Sequence, residues 1–293
     1  MNILVFLRPI LDPAGFIVNR KAQKVFVNRE NYILNPADKN ALEAALRLSD
    51  TVTAVSIGDA PAEDALRQAR AIGASRAMLV RDAALKSADA SVMTTVLQRL
   101  VPHLDGADLM LLGAEVVDAD LAQLGPRLAM ALGWPFIEGA QEIFVRGHGV
   151  HAITRPRASV RRPAPAPPFA DRKKARGPED PALAPRTRGG WSAGARQTDG
   201  FHQIEADLPA VISVARDSNK PRYSSGASLV NVYQANDVVE ILTAADLGLS
   251  EADLAPLTER HGESFPPERE LGKVAEGSLD EIAGRVMDVI RKR

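Results

Sequence analysis

The chain has 293 residues, of which 45% are apolar and 25% are charged, as is ordinary for a globular protein. Its 36 basic and 37 acidic residues leave a net charge of −1, which argues against a general nucleic-acid binder. The sequence has no cysteine, and this excludes disulfides, cysteine-ligated metals and thiol catalysis. We see neither a transmembrane run nor a signal-peptide pattern, so a cytoplasmic location is expected.

The first elements predict a strand, a surface hairpin and a helix. Ile3–Leu7 is apolar throughout and predicts a central strand. Weak alternation at 16–19 and 24–28 predicts a hairpin at the surface. Asn35 is the expected cap of the first helix, and Pro36 suits the first helical position because proline lacks the N–H that would be unpaired there.

Two further strand and helix pairs follow the first. The β-branched run Thr51–Ile57 predicts a second strand, and the helical pattern after it ends at Gly73. Ala77–Val80 predicts a third strand, and a helical pattern over roughly 87–103 leads to a fourth at 108–112. This alternation predicts an α/β fold, in which a parallel twisted sheet carries helices on both faces.

The turn after the fourth strand is the most informative segment. It runs from Gly113 to Arg127 and precedes a helical pattern at 128–132 that Gly133 ends. A strand end, an acidic turn and a new helix N-terminus together predict a ligand-binding crevice in an α/β sheet, with Gly113 and Ala122 among the expected cofactor-binding residues. The first amides of such a helix have no partner inside the helix and therefore suit a phosphate group.

Individual residues of this turn have distinct expected roles. The backbone amides around Gln123, Leu124 and Gly125 are expected to receive phosphate oxygens, and glycine lets the backbone approach closely. The carboxylates of Asp118 and Asp120 are expected to orient the turn or to accept from ribose hydroxyls, since they would repel a phosphate. The alternative is that both carboxylates only cap the helix.

Residues 151–200 break the pattern. Between Arg155 and Arg196 there are eleven basic and three acidic residues, and eight prolines lie between Pro156 and Pro185. Such a composition cannot bury a core and predicts an insertion without regular structure. Two interpretations stay open: a basic arm for a partner or an anionic surface, and a solvated insertion or sequence artefact without a role.

Regular structure is predicted again after the insertion. The apolar run 208–215 predicts a strand, 219–223 a loop, and 229–245 an extended arm. The sequence from Ser278 to Glu281 matches a capping box, and apolar residues then follow on one stripe of a final helix. An amphipathic helix of this kind is expected to pack on its own domain or on a partner subunit.

Four segments, in this order and spacing, resemble the β subunit of the electron transfer flavoproteins. They are 35–48, 69–77, 118–126, and 208–214 with its following loop at 219–223. The resemblance covers 1–147 and about 199–293, and the insertion between them does not match. It implies an adenine-nucleotide alpha-hydrolase-like fold with an extended C-terminal arm and a terminal helix.

The resemblance also implies cofactors and partners. In this family the β subunit pairs with an α subunit that holds an FAD, and the β subunit itself binds AMP in the simpler branch or a second FAD in the electron-bifurcating branch. Ala122, Gln123 and the Gly125–Pro126 pair resemble the bifurcating and nitrogen-fixation-type branch, so FAD is favoured and AMP is the alternative. The implied redox partners are a flavin-dependent dehydrogenase, NADH and a quinone oxidoreductase. The chain is then an electron carrier subunit rather than a catalyst in its own right, although NADH-dependent flavin reduction in the complex is compatible with it.

The resemblance places six more residues at the nucleotide, each near the end of a strand or the start of a helix: Phe6, Leu7, Arg8, Asn35, Ile57 and Gly58. The first two are expected to form the adenine wall, with the phenyl ring either stacking on the base or narrowing the pocket. Arg8 stands where the family has lysine and is expected to pair with a phosphate or to lie on the surface. Asn35 is expected near the adenosine, and the last two residues are expected to offer backbone groups to the adenine edge.

The predicted organisation has four parts. Residues 1–150 form the first part of the nucleotide-binding domain, and 151–200 form the insertion. Residues 201–225 return to the domain as a strand and loop, and 226–293 form an arm and helix that contact the partner subunit. Gly226 stands where the family often has an aliphatic anchor, and the usual lysines after it are missing, which puts the family's usual dehydrogenase docking in doubt.

Other classes of site and protein fit the residues less well. The histidines, His151 among them, show no metal-ligand spacing and are expected at the surface. A stand-alone adenine-nucleotide sensor of the same fold is the alternative function, but such modules often carry a Gly-x-x-Gly phosphate loop that this chain lacks. An adenylating enzyme commonly has Ser-Gly-Gly-x-Asp-Ser after the first strand, where this chain has the sequence Arg8-Pro-Ile-Leu-Asp12.

Overall fold

The computed structural model describes residues 1–27, 30–104, 106–116, 123–155, 193–198, 201–258 and 277–291. The chain forms two compact units. The larger unit consists of Met1–Phe16 and Val27–Glu259, and the smaller of Ile17–Phe26 and Arg260–Arg293. Within the described residues, no helix has the length and apolar character needed to cross a membrane.

The strands and α-helices are numbered in chain order. The strands are β1 (Ile3–Phe6), β2 (Pro9–Leu11), β3 (Phe16–Asn19), β4 (Lys24–Val27), β5 (Tyr32–Leu34), β6 (Val52–Ile57), β7 (Arg76–Val80), β8 (Leu109–Gly113), β9 (Phe136–Arg146), β10 (Gly149–Thr154), β11 (Ala193–Thr198), β12 (Phe201–Asp207), β13 (Ala210–Val214) and β14 (Glu240–Leu242). The helices are α1 (Pro36–Leu48), α2 (Ala60–Ile72), α3 (Ala90–Leu100), α4 (Leu124–Leu132), α5 (Gly226–Gln234) and α6 (Leu279–Arg291).

One large sheet organises the larger unit. Its strand order is β11-β12-β10-β9-β13-β8-β1-β6-β7-β14. The strands from β9 to β14 in this order are parallel to their neighbours, and the three strands beyond β9 are antiparallel. Strand β1 lies between β8 and β6. The chain adds β6 and β7 on one side of β1 and then β8 on the other side, so the strand order reverses at β1. Ligands of open α/β sheets bind at such a reversal, at the carboxyl ends of the strands.

Side-chain alternation along β1 divides the core between the two faces of the sheet. Ile3, Val5 and Leu7 point into a cluster that includes buried residues of α1 and α2. Leu4 and Phe6 point into a second cluster that includes buried residues of α3 and α4. Both faces are therefore covered by helices, and the predicted α/β fold with a largely parallel sheet is confirmed.

The antiparallel edge of the sheet was not predicted from the sequence. The eleven-residue strand β9 carries polar residues that interrupt its apolar pattern. The prediction that 151–200 has no regular structure is wrong at both ends of this range, because β10 reaches Thr154 and β11 lies wholly within it. Residues 156–192 and 199–200 lie outside the described residues. His151 of β10 is not at the surface: it is 8% exposed and stacks on Phe144 with ring centroids 5.6 Å apart.

The predicted extended arm at 229–245 is wrong for its first part, which forms helix α5. Ser225 caps this helix, because its hydroxyl oxygen accepts from the backbone N–H of Ser228 at 3.0 Å. The chain then adds the short strand β14 to the sheet edge beside β7. At the other end of the chain, the predicted final helix is present as α6, and the N–H of Ser278 donates to Glu281 as in a capping box.

The loop after β13 is fastened to α1 by side chains. Asn40 donates to the backbone oxygen of Asn219 at 2.8 Å, and the Nε of Arg222 donates to Glu43 at 2.8 Å. Arg47 also donates to Glu43 at 2.7 Å. Burial alone would raise the pKa of Glu43, but the hydrogen bonds from Arg222 and Arg47 outweigh it and hold this pKa below its ordinary value. The ionised carboxylate therefore stabilises the folded chain.

We expect the substitution Glu43→Gln to lower the free energy of unfolding at pH 7 by about 1–2 kcal/mol, because it removes charge-assisted hydrogen bonds. The difference should be complete above the ordinary pKa of 4.5 and should shrink as the pH falls through the lower pKa of the folded state. Urea unfolding between pH 3 and 7 measures it. Glu251→Gln, at an exposed position, is the matched control, and an equal loss in both variants would contradict the account.

Candidate functional site

The carboxyl ends of β1 and β8 are joined to helix α1 by a single buried carboxylate, that of Asp38. Asp38 is completely buried and accepts from the backbone N–H of Arg8 at 2.9 Å and from its Nε at 2.9 Å. It also accepts from the Nη2 of Arg8 at 2.5 Å and from the backbone N–H of Gly113 at 2.8 Å. Two strand ends and the first turn of a helix thus converge on one side chain.

Gly113 has no room for a side chain at this junction. A Cβ atom at this position would lie 2.7 Å from the Cβ of Ala37 and even closer to the carboxylate of Asp38. The carbonyl oxygen of Gly113 accepts from the Nη2 of Arg8 at 2.9 Å. The structure thus gives this glycine a packing role against α1, whereas its predicted contact with a cofactor stays a prediction.

Arg8 is not at the surface, which was one of its two predicted positions. It is 5% exposed, and the ion pair with Asp38 explains how a guanidinium is held in the interior. Its Nη1 is buried and has no hydrogen-bond partner among the described residues. Its guanidinium carbon lies 5.8 Å from the centre of the Phe6 ring, which is itself 1% exposed. That ring belongs to the core and offers no open face on which a base could stack.

Asn35 does not cap α1 with its side chain, contrary to the prediction. Its Nδ2 donates instead to the backbone oxygen of Glu115 at 2.8 Å, and this bond draws the side chain toward the segment after β8. Asn35 is only 1% exposed, and its Oδ1 is buried without a hydrogen-bond partner among the described residues. A buried amide oxygen without a donor is costly, so this atom is a candidate acceptor for a ligand.

At the end of β6, some backbone groups already form hydrogen bonds within the sheet. The Oγ of Ser56 donates to the backbone oxygen of Leu7 at 2.7 Å. The N–H of Gly58 donates to the backbone oxygen of Val80 at 3.0 Å. This amide is therefore not free to donate to an adenine edge, which was its predicted role. Gly58 has a φ of +140°, a conformation that side-chain-bearing residues rarely adopt. The side chain of Ile57 is 9% exposed and packs in the core.

Helix α4 begins where the phosphate site is predicted. Gln123 is exposed and precedes the first helical residue, Leu124, whose side chain is fully buried. At Gly125 an added Cβ would lie 2.7 Å from the Cε2 of Phe136, so the absent side chain makes room for a protein ring. The predicted close approach of a phosphate to this glycine stays a prediction. The other predicted residues of the turn, Asp118, Asp120 and Ala122, lie outside the described residues.

Asp38 is the site residue that the sequence did not predict. An acidic residue in the first turn of a helix is ordinarily explained by the helix dipole and by solvent exposure. Only the spatial approach of β1 and β8 reveals its ion pair with Arg8. Among the described residues no group of three His, Asp or Glu side chains could hold a metal ion.

The fold and this junction define an α/β protein with a buried ion pair at the carboxyl ends of two parallel strands. The electron transfer flavoprotein domain family matches residues 23–166 of the chain. The β subunit of an electron transfer flavoprotein from Thermoanaerobacterium thermosaccharolyticum is 26% identical over 300 residues, which cover 100% of this chain and 99% of that protein.

Two other relatives carry more specific names. The caffeyl-CoA reductase-Etf complex subunit CarD of Acetobacterium woodii is 26% identical over 302 residues, covering 100% of this chain and 99% of the relative. Protein FixA of Azorhizobium caulinodans is 33% identical over 141 residues, covering 45% of this chain and 50% of the relative. The domain match and these relatives support a β subunit of the electron transfer flavoproteins, with a role in electron transfer within a heterodimer.

We expect Asp38→Asn to lower the free energy of unfolding by about 3–5 kcal/mol, because it leaves the guanidinium of Arg8 buried without a counter-charge. The double variant Arg8→Met with Asp38→Leu should recover most of this loss, since it removes both charges together. Urea unfolding at pH 7 measures both effects. Asp237→Asn, at an exposed position, is the control, and a single variant as stable as this control would contradict the role given to Asp38.

Proposed function

We propose that this β subunit binds FAD in the crevice at the carboxyl ends of β1, β6 and β8, with AMP as the alternative nucleotide. The observation that carries the proposal is the buried, unpartnered Oδ1 of Asn35 at this edge. Hydroxyl groups of a ribose or the exocyclic amine of adenine are donors that would satisfy it. The Nη1 of Arg8 supplies a second unused group, a donor suited to an oxygen of the same ligand.

The diphosphate of the nucleotide is placed at the start of α4 in this proposal. The N–H groups of Leu124 and Gly125 belong to the first turn of the helix, and amides there have no acceptor within it. The positive end of the helix dipole favours an anion at the same position. Asp118 and Asp120 would then orient the turn or accept from ribose hydroxyls.

A bound flavin would supply the redox chemistry, and the chain's own residues position it. The Asp38 junction fixes the strand ends, and Asn35 and Arg8 orient the adenosine half. The likeness of segment 118–126 to the bifurcating branch favours FAD over AMP, and the relatives named CarD and FixA support this choice. The α subunit would hold the other FAD.

The proposed electron donors are a flavin-dependent dehydrogenase or NADH, and a quinone oxidoreductase is a proposed acceptor. We place the complex in the cytoplasm.

The contact of the C-terminal part with the α subunit is proposed for α6, because residues 226–258 already belong to the larger unit of this chain. Gly226 is exposed at the first position of α5, so an aliphatic anchor is absent there and Leu229 or Val230 would have to replace it.

A flavin count tests the choice between FAD and AMP. The β subunit is co-expressed with its α subunit, and the purified heterodimer is denatured to release its nucleotides for chromatography. We expect two FAD molecules and no AMP per heterodimer. One FAD together with one AMP would contradict FAD binding in this subunit, whereas a β subunit that binds ATP alone, without flavin or an α subunit, would favour the nucleotide sensor.

We expect Asn35→Leu to weaken nucleotide binding to the β subunit by about three- to tenfold, the effect of one lost hydrogen bond. The change removes the unpartnered oxygen together with the Nδ2 bond to Glu115, and its effect is measured by equilibrium dialysis of FAD against the heterodimer. The α-subunit flavin should be retained. Asn31→Leu, at an exposed position on the same segment, is the matched control, and equal affinity of the two variants would contradict the role of Asn35.

A further inference from the structure

A second cavity of about 460 Å³ lies away from the proposed nucleotide crevice. It is formed by α1, α2, the loop at 220–224 and helix α5, and none of the residues proposed to bind the nucleotide lines it. Its apolar lining includes Leu42, Ile72 and Leu229. A concave space of this size with a mainly apolar wall is typical of a site for a small molecule.

The polar part of the wall has an excess of positive charge. Lys39 and Lys220 both line the cavity, and among the described residues neither ammonium group has a carboxylate partner. The third cation, Arg222, is committed to Glu43, the carboxylate of the wall, at 2.8 Å. Two ammonium groups are therefore left to interact with an anion.

Helix α5 is held in place over α2, so the cavity exists before a ligand arrives. The Nη1 of Arg67 donates to two backbone oxygens at the C-terminal end of α5, that of Val232 at 2.9 Å and that of the C-cap residue Ala235 at 3.2 Å. The hydroxyl of Tyr233 donates to Asp64. Burial and the neighbouring Asp64 raise the pKa of Tyr233 to about 12, so this donor stays protonated at neutral pH.

We propose that this cavity binds a small organic anion, with an apolar body against Leu42, Ile72 and Leu229 and a carboxylate between Lys39 and Lys220. A bound anion contacts α1, α2 and α5 together and therefore stabilises the packing of α5 on α1 and α2. A neutral molecule of the same shape leaves both ammonium groups without a counter-charge and binds more weakly.

Isothermal titration of the purified heterodimer tests the proposal with three probes of equal length: octanoate, octanol and octylamine. We expect octanoate to bind with one molecule per heterodimer, and octylamine to bind at least tenfold more weakly. The double variant Lys39→Gln with Lys220→Gln should weaken octanoate binding about tenfold, as two partly screened charge contacts do. Lys86→Gln, outside the cavity, should leave the affinity unchanged.

A second variant, Leu229→Trp, fills the cavity without changing its charge. It should abolish octanoate binding while circular dichroism and thermal unfolding show a folded chain. The proposal is overturned by any of three results: no octanoate binding to the heterodimer, equal binding of octanoate and octanol, or full affinity in the double lysine variant. The FAD and AMP content of these variants is measured in parallel, and it should not change, because the cavity and the nucleotide crevice share no residue.

Discussion

The carboxylate of Asp38 is the interaction on which the candidate site depends. It lies in the first turn of α1 and binds the backbone and guanidinium of Arg8, at the end of β1, and the amide of Gly113, at the end of β8. These two strands are hydrogen-bonded neighbours at the reversal of strand order. Removing water from both charges is costly, and several hydrogen bonds to one carboxylate offset that cost. The same bonds fix the strand ends against the helix and hold Asn35, one turn earlier, beside Glu115.

The parallel sheet could be predicted from the sequence, because its strands are short apolar runs between helices with a clear 3.6-residue period. Strand β9 could not, since Glu138, Gln141 and Glu142 interrupt its apolar pattern. Helix α5 was mistaken for an extended arm because the range 229–245 mixes apolar and polar positions, and the Ser225 cap that starts the helix lies before this range. The edge strand β14 has only three residues, too few for a period to be recognised.

The structure corrects the predicted surroundings of particular site residues, while the binding site itself stays a prediction. The expected crevice follows from the strand ends, and Asn35 and Arg8 were named as site residues. Their partners were not foreseen, because a contact between residues 8, 38 and 113 depends on the fold and not on local spacing. At Gly125 the structure adds a packing contact: the space beside this glycine is taken by Phe136, a residue that the local motif does not contain. A glycine in a motif indicates that another group approaches the backbone closely, but only the packing of the fold shows which group this is.

The central claim is that the unpartnered Oδ1 of Asn35 marks the adenosine end of a bound nucleotide. A crystal structure of the heterodimer, purified with its natural cofactors, tests this most directly. The account predicts a ribose hydroxyl or adenine amine of the nucleotide within hydrogen-bond distance of that oxygen, with the phosphates at the start of α4. A protein donor bonded to Oδ1, together with side chains of residues 117–122 filling the crevice, would contradict it.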